Sequence, residues 1–287
     1  MPPQLMALAA ALSYATCTIA AKRGMQHSTP VTVTLVSLAL HTTTLWTAVI
    51  LTGGIPPVAP LAVILFIVAG TLQPIIRLFT YSGIHYLGAS RGTTLRGTHP
   101  LFSTTIAILL LGERASFAVI VGTILIVVGI ALISWQSESR PESFRWWHLA
   151  FPLGAALLAG IVHPIRRYAL GLSNHPLFFA ALVGLVSLLW LVGYLILSTG
   201  GERPVWNRQS LGPFLFAGIF ETLGILLGIT ALSYGPVVLV SPLIATSPLW
   251  VMFGSLLFLR GIETIALRTV LGALCVVSGT IAISLVR

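Results

Sequence analysis

Aspartate is absent from this chain, and charge of either sign is scarce. There are fifteen Lys+Arg, six acids, all of them glutamate, and a charged fraction of 7% over 287 residues. A soluble domain carries about 25% charged residues, so these polar side chains cannot coat a globule. With 56% hydrophobic residues and a mean hydropathy of +1.01, the composition is that of an integral membrane protein. The lack of Asp removes paired aspartates. No His-Glu-x-x-His run is present, which leaves an intramembrane enzyme as a remote alternative. Cysteine is nearly absent too. Cys17 and Cys275 each sit alone in an apolar run, so neither a disulfide framework nor a thiolate metal site is expected. His41, His99 and His163 show no ligand spacing, and no metal or cofactor is expected. The net charge of +9 is spread singly over the ends of apolar runs. That pattern reads as helix-end anchoring rather than a nucleic-acid surface.

What is there is a series of long apolar runs. A bilayer core takes about 20 apolar residues per helix, and ten runs qualify: 4–22, 31–52, 60–84, 89–111, 117–136, 148–169, 176–198, 211–234, 237–258 and 265–286. They are continuous rather than alternating, which excludes a membrane barrel. The first lacks a basic n-region and is followed by Lys22 and Arg23, so it reads as a retained helix, not a cleaved signal. The longest polar stretch, Gln136 to Arg145, falls at the middle.

The chain repeats itself. Residues 69–77, AGTLQPIIR, return 148 positions later as AGIFETLGI at 217–225. At the same offset Phe66 matches Phe214, Tyr86 matches Tyr234 and Pro100 matches Pro248. Beyond two extra residues around LRGIE, Glu113 matches Glu263, Gly122 matches Gly272 and Gly129 matches Gly279. The expected organisation is a first half at 1–136, a loop at 137–147 and a second half at 148–287. Each half holds five helices, an odd number, so the second must enter the membrane from the opposite side. The expected fold is an all-α membrane protein of ten transmembrane helices in two inverted repeats, an arrangement typical of secondary transporters.

The run ASRGTTLRGTHPLFSTTIAILLLGERASFAVIVGTILIVVGIALI carries Pro100 inside a helix, a Gly112-Glu113 pair at the next turn, and Gly122 and Gly129 seven apart. It resembles the EamA repeat of the drug/metabolite transporter superfamily, and Pro248, Glu263, Gly272 and Gly279 form a degenerate second copy. The resemblance implies a ten-helix transporter of small organic molecules whose third, fourth, eighth and ninth helices, with the first and sixth, surround a central cavity.

Ionisable groups inside a membrane are expensive and tend to face a cavity or a partner. Glu221 lies mid-way along the eighth helix with Gly218, Ile225 and Gly228 on its face. It is the expected proton-coupling group, with an ion pair to Arg77 as the structural alternative. In the third helix Gln73, Arg77 and Thr80 share a face next to Pro74, and Arg77 suits a substrate carboxylate. Arg96, Gly92, His99 and Ser103 form the most polar stripe of the chain. The expected substrate-binding set is therefore Arg77, Arg96, His99, Gln73 and Glu221. Pro100, Pro242 and Pro248 are expected to kink their helices at matching places in the two halves. His41 reads as a satisfied core histidine, and His163, followed by Pro164, Arg166 and Arg167, as the mouth of a cavity or an interface. The seven-spaced glycines read as packing seams.

Two mid-membrane arginines against one glutamate favour an exporter of a small anionic or zwitterionic metabolite, such as an amino acid, working by alternating access with or without proton coupling. An organic-cation exporter that uses Glu221 as its shared proton and drug site is the alternative. The expected partners are the small-molecule substrate, the lipid bilayer and protons, with no nucleic acid, in a monomer or homodimer. The expected location is the cell (inner or plasma) membrane. The resemblance implies cytoplasmic termini, whereas the positive-inside count points the other way: nine basic residues lie on the side opposite the termini and four on their side.

Overall fold

The computed structural model of the protein describes residues 1–87, 95–134, 145–198, 203–258 and 267–285. Among the described residues the regular structure is entirely helical. The α-helices are α1 (Pro3–Gly24), α2 (Pro30–Leu51), α3 (Pro60–Leu87), α4 (His99–Leu111), α5 (Phe117–Ser134), α6 (Ala150–Leu172), α7 (Pro176–Leu197), α8 (Arg208–Tyr234), α9 (Val237–Ile244), α10 (Ser247–Phe258) and α11 (Leu267–Ser284). Among the described residues six helical stretches, those of α1, α2, α3, α6, α7 and α8, are long and apolar enough to cross a membrane. The chain is a multi-pass, all-helical membrane protein.

Two runs, those expected to be interrupted at prolines, are broken. The ninth is two helices, α9 and α10, separated at Ala245 and Thr246. The fourth has a turn at Gly97 and Thr98 before α4 begins at His99. The reason is local. Pro100 and Pro248 each stand in the first turn of the following helix, where a missing N–H costs nothing, whereas a continuous helix would lose a bond and clash with the carbonyl four residues back. Pro100 and Pro248 therefore start helices instead of kinking them, while Pro242 does lie inside α9. Gly92 of the polar stripe falls outside the described residues.

Contacts divide the chain into two compact units, one of residues 1–74 and 168–234 and one of 75–167 and 235–287. Each unit draws helices from both sequence halves. The divisions fall inside α3, directly after Pro74, and inside α6, after Arg167.

In the first unit α8 packs along α1 and α2, and α2 also packs on α7. Small residues let the backbones approach. A methyl at Gly224 would lie 2.9 Å from the Tyr14 ring, and one at Gly218 would lie 3.2 Å from the Ser37 Cα. Gly184 leaves room for the buried His41 ring, whose Nε2–H donates to the Ala180 carbonyl at 3.0 Å. His41 is thus the satisfied core histidine expected from the sequence.

The second unit is built on α5 and α11. A methyl at Gly129 would meet the Gly272 carbonyl at 2.6 Å, and one at Gly122 the Gly279 carbonyl at 2.8 Å. The seven-spaced glycines form the expected seam, and the pairing crosses over. Gly122, whose sequence mate is Gly272, touches Gly279, and Gly129, whose mate is Gly279, touches Gly272. Exchanging the two halves maps this contact onto itself, which is the self-complementary signature of a two-fold relation. The helices run antiparallel, as inverted repeats require.

Candidate functional site

The second unit holds a buried polar node where α4, α6 and α9 meet. Ser103 of α4 donates to the Ser241 hydroxyl of α9 at 2.6 Å, and Ser241 lies 2.9 Å from Nδ1 of His163 on α6. Ser103 and Ser241 are both completely buried. Ser103 also reaches the Pro100 carbonyl, at 3.1 Å. The His99 ring stands edge-on to His163 with centroids 5.9 Å apart. His163 is within electrostatic reach of His99, Arg166 and Arg96.

Backbone geometry brings these groups together. At Gly160, one turn before His163, a methyl would lie 2.5 Å from Cβ of Phe102 and 3.1 Å from the Ser103 nitrogen. The α6 backbone therefore sits directly on the first turn of α4. Three of the polar residues precede a proline: His99-Pro100, His163-Pro164 and Ser241-Pro242. Proline lacks the N–H that would bond the carbonyl four residues back, so the Arg96, Gly160 and Val238 carbonyls lose their helical donor near the node. The Arg96 carbonyl faces the His99 ring, although Nδ1 of His99 makes no hydrogen bond of good geometry. In a bilayer such groups are tolerated where they are buried in protein or line a polar cavity.

A glutamate holds the outer end of α9. Gly112, with φ of 67°, ends α4 in the left-handed conformation, and the Glu113 N–H bonds the Ala107 carbonyl at 3.2 Å. The Glu113 carboxylate then accepts from the backbone N–H groups of Val237 at 2.9 Å and Val238 at 3.0 Å. It caps the first turn of α9, where orphan donors and the helix dipole favour an anion. The Gly-Glu pair thus has a structural role across 124 residues. Its counterpart Glu263 lies outside the described residues.

The expected site residues fall in both units. Arg96 and His99 lie at the node, and Arg77, half-buried on α3, is in the same unit. Gln73 and Glu221 belong to the first unit. Glu221 is buried, at 8% exposure, one turn from Gly218 on α2 and from Gly224 on the Tyr14 ring of α1. His163 is part of the node, and Ser241, which sequence reasoning passed over, is its centre. The polar-residue-then-proline dipeptide was the signal available for both.

A helical bundle that crosses the membrane repeatedly, with broken helices and buried imidazole, hydroxyl and guanidinium groups, defines a membrane transport protein. The chain belongs to the EamA-like transporter family, whose model matches residues 1–135 and 145–285. It is accordingly a membrane transporter of the drug/metabolite superfamily. No curated protein matches the sequence. One solved crystal structure resembles it with a TM-score of 0.79 at 14% identity, over 98% of this chain and 95% of that one, a likeness of fold alone.

Proposed function

We propose that this transporter exports a small anionic or zwitterionic metabolite, of the amino-acid class, by alternating access in the cell membrane, and that Glu221 carries the coupled proton. The observation behind the substrate class is the node of the second unit, where Arg96, Arg166, His99 and His163 gather with two hydroxyls. Such a cluster of positive charge and neutral donors suits a carboxylate. The proton assignment is supported by a carboxyl buried on a glycine-rich face of α8. Desolvated acids are the usual carriers of coupled protons in membranes.

The second reading, an organic-cation exporter, is favoured by that same buried Glu221. Proteoliposomes that enclose a pH dye separate the two. Amino acids, organic anions and organic cations are supplied class by class to the wild type and to Glu221→Gln. Proton movement driven by an acid or amino acid, and lost in the variant, supports the first reading. Movement driven by cations alone supports the second. Substrate flux without proton flux in either protein removes Glu221 from coupling.

A further inference from the structure

The order of donors in the node names the part of the substrate it recognises. Each hydroxyl has one proton. Ser103 directs its proton to Ser241 at 2.6 Å, with the Pro100 carbonyl a longer second acceptor at 3.1 Å, and in that order the Ser241 proton serves Nδ1 of His163 at 2.9 Å. An imidazole that accepts at Nδ1 is neutral and carries its own proton on Nε2. With the donors in that order, His163 is the tautomer that presents Nε2–H as a donor on the side of the ring away from Ser241. His99 stands edge-on beside it, and Arg96 is one helical turn from His99 across the α4 break. Ser103 and Ser241 are completely buried, and at Gly160 the α6 backbone closely approaches the first turn of α4.

We propose that His163, oriented by Ser241 and Ser103, is a specificity-determining residue that donates a hydrogen bond from Nε2 to the carboxylate of the substrate, beside His99 and Arg96. Ser241 and Ser103 are positioning residues. They touch the imidazole rather than the substrate, and they keep its outward nitrogen a donor. The proposal rests on the anionic or zwitterionic reading above and assigns a subsite to it. A carboxylate, an acceptor only, gains from a fixed donor, and a carboxamide with its own N–H₂ gains less.

The test uses the full chain in proteoliposomes loaded with a pool of the twenty amino acids, lactate, succinate and benzoate, with efflux read by mass spectrometry. The acid that moves is then compared with its own carboxamide as competitor. A hydrogen bond to a charged group corresponds to about 10-fold or more in affinity. For His163→Leu and Ser241→Ala we expect KM for the acid to rise about 10-fold, with little change in maximal rate and in inhibition by the carboxamide. Ser241→Thr, which keeps the hydroxyl, and His163→Gln, which keeps a donor, are expected to stay within about 3-fold of wild type. If Ser241→Ala does not elute as a single species, the contrast between His163→Leu and His163→Gln carries the test.

An unchanged KM for the acid in these variants overturns the subsite and leaves the anionic reading intact. A loss that falls equally on acid and carboxamide, or that Ser241→Thr does not rescue, also overturns it. A wild type that moves nothing in the pool but exports methyl viologen overturns the reading on which the subsite rests.

Discussion

Residues 95–101 and 243–249 break their helices with the same set of bonds. In the first, Thr98 sends both its N–H, at 3.2 Å, and its hydroxyl, at 2.7 Å, to the Leu95 carbonyl, and Leu101 N–H closes on the Thr98 carbonyl at 3.0 Å. In the second, Thr246 sends its N–H at 3.2 Å and hydroxyl at 2.7 Å to the Leu243 carbonyl, and Leu249 N–H closes on the Thr246 carbonyl at 2.9 Å. The scaffold is Thr-x-Pro both times, 148 residues apart. The side chains around it are not. Where the first break has Arg96, His99 and Ser103, the second has Ile244, Ser247 and Val251. Duplication kept the backbone device, and the chemistry was concentrated on one copy. The threonine explains how a broken helix survives in an apolar medium. Its hydroxyl supplies a second donor to a carbonyl that the break would otherwise leave short.

The comparison can be broken at its chemical end first. Arg96→Ile installs the residue of the second copy. It is expected to lower substrate affinity by about 10- to 100-fold, the value of a charge-assisted bond, with little change in melting temperature in detergent. Transport at the wild-type KM would show that the polar break is no more functional than the apolar one. Next comes the clamp that serves α9. Glu113→Ala leaves two first-turn N–H groups without their carboxylate and should destabilise the protein by about 2 kcal/mol, seen as a lower midpoint of thermal unfolding. Glu113→Gln keeps one acceptor oxygen and should lose about half of that.

The scaffold bonds test the likeness of the two breaks. Pro100→Ala and Pro248→Ala each restore an N–H and permit a continuous helix. They are expected to slow maximal transport by a similar factor, on the order of 5-fold, because each relieves about 1 kcal/mol of the bias toward the broken form. A large effect at one proline alone would mean that only one break works during transport. The smallest effect is expected of Thr98→Val and Thr246→Val. Side-chain hydrogen bonds between membrane residues average about 0.6 kcal/mol, and the two variants should match each other to within that amount in denaturant-free thermal melts.

Much of this arrangement was legible in the sequence. The ten apolar runs, the matched prolines at 100 and 248 and the glycines at 122, 129, 272 and 279 are local signals that depend on spacing along one helix. The form of the break was not. A proline in an apolar run reads equally as a kink or a restart, and the choice was made by Thr98 and Thr246, which have good alternative partners for the carbonyls. Ser241 had only the proline after it as a signal. A single serine in an apolar helix carries no periodicity, and its two partners lie 138 and 78 residues away.

By itself, then, the chain determined membrane residence, the number of apolar runs, the inverted duplication and the places where helices are weakest. Those follow from hydrophobic length, an odd helix count and proline chemistry, none of which needs a partner. The tertiary structure decided which polar groups meet. It set His163 on Ser241, gave Glu113 to the start of α9 and paired Gly122 with Gly279 rather than with its own sequence mate. Buried polar atoms must find partners wherever packing brings them, and packing between helices distant in the chain is not written in the spacing of any one of them.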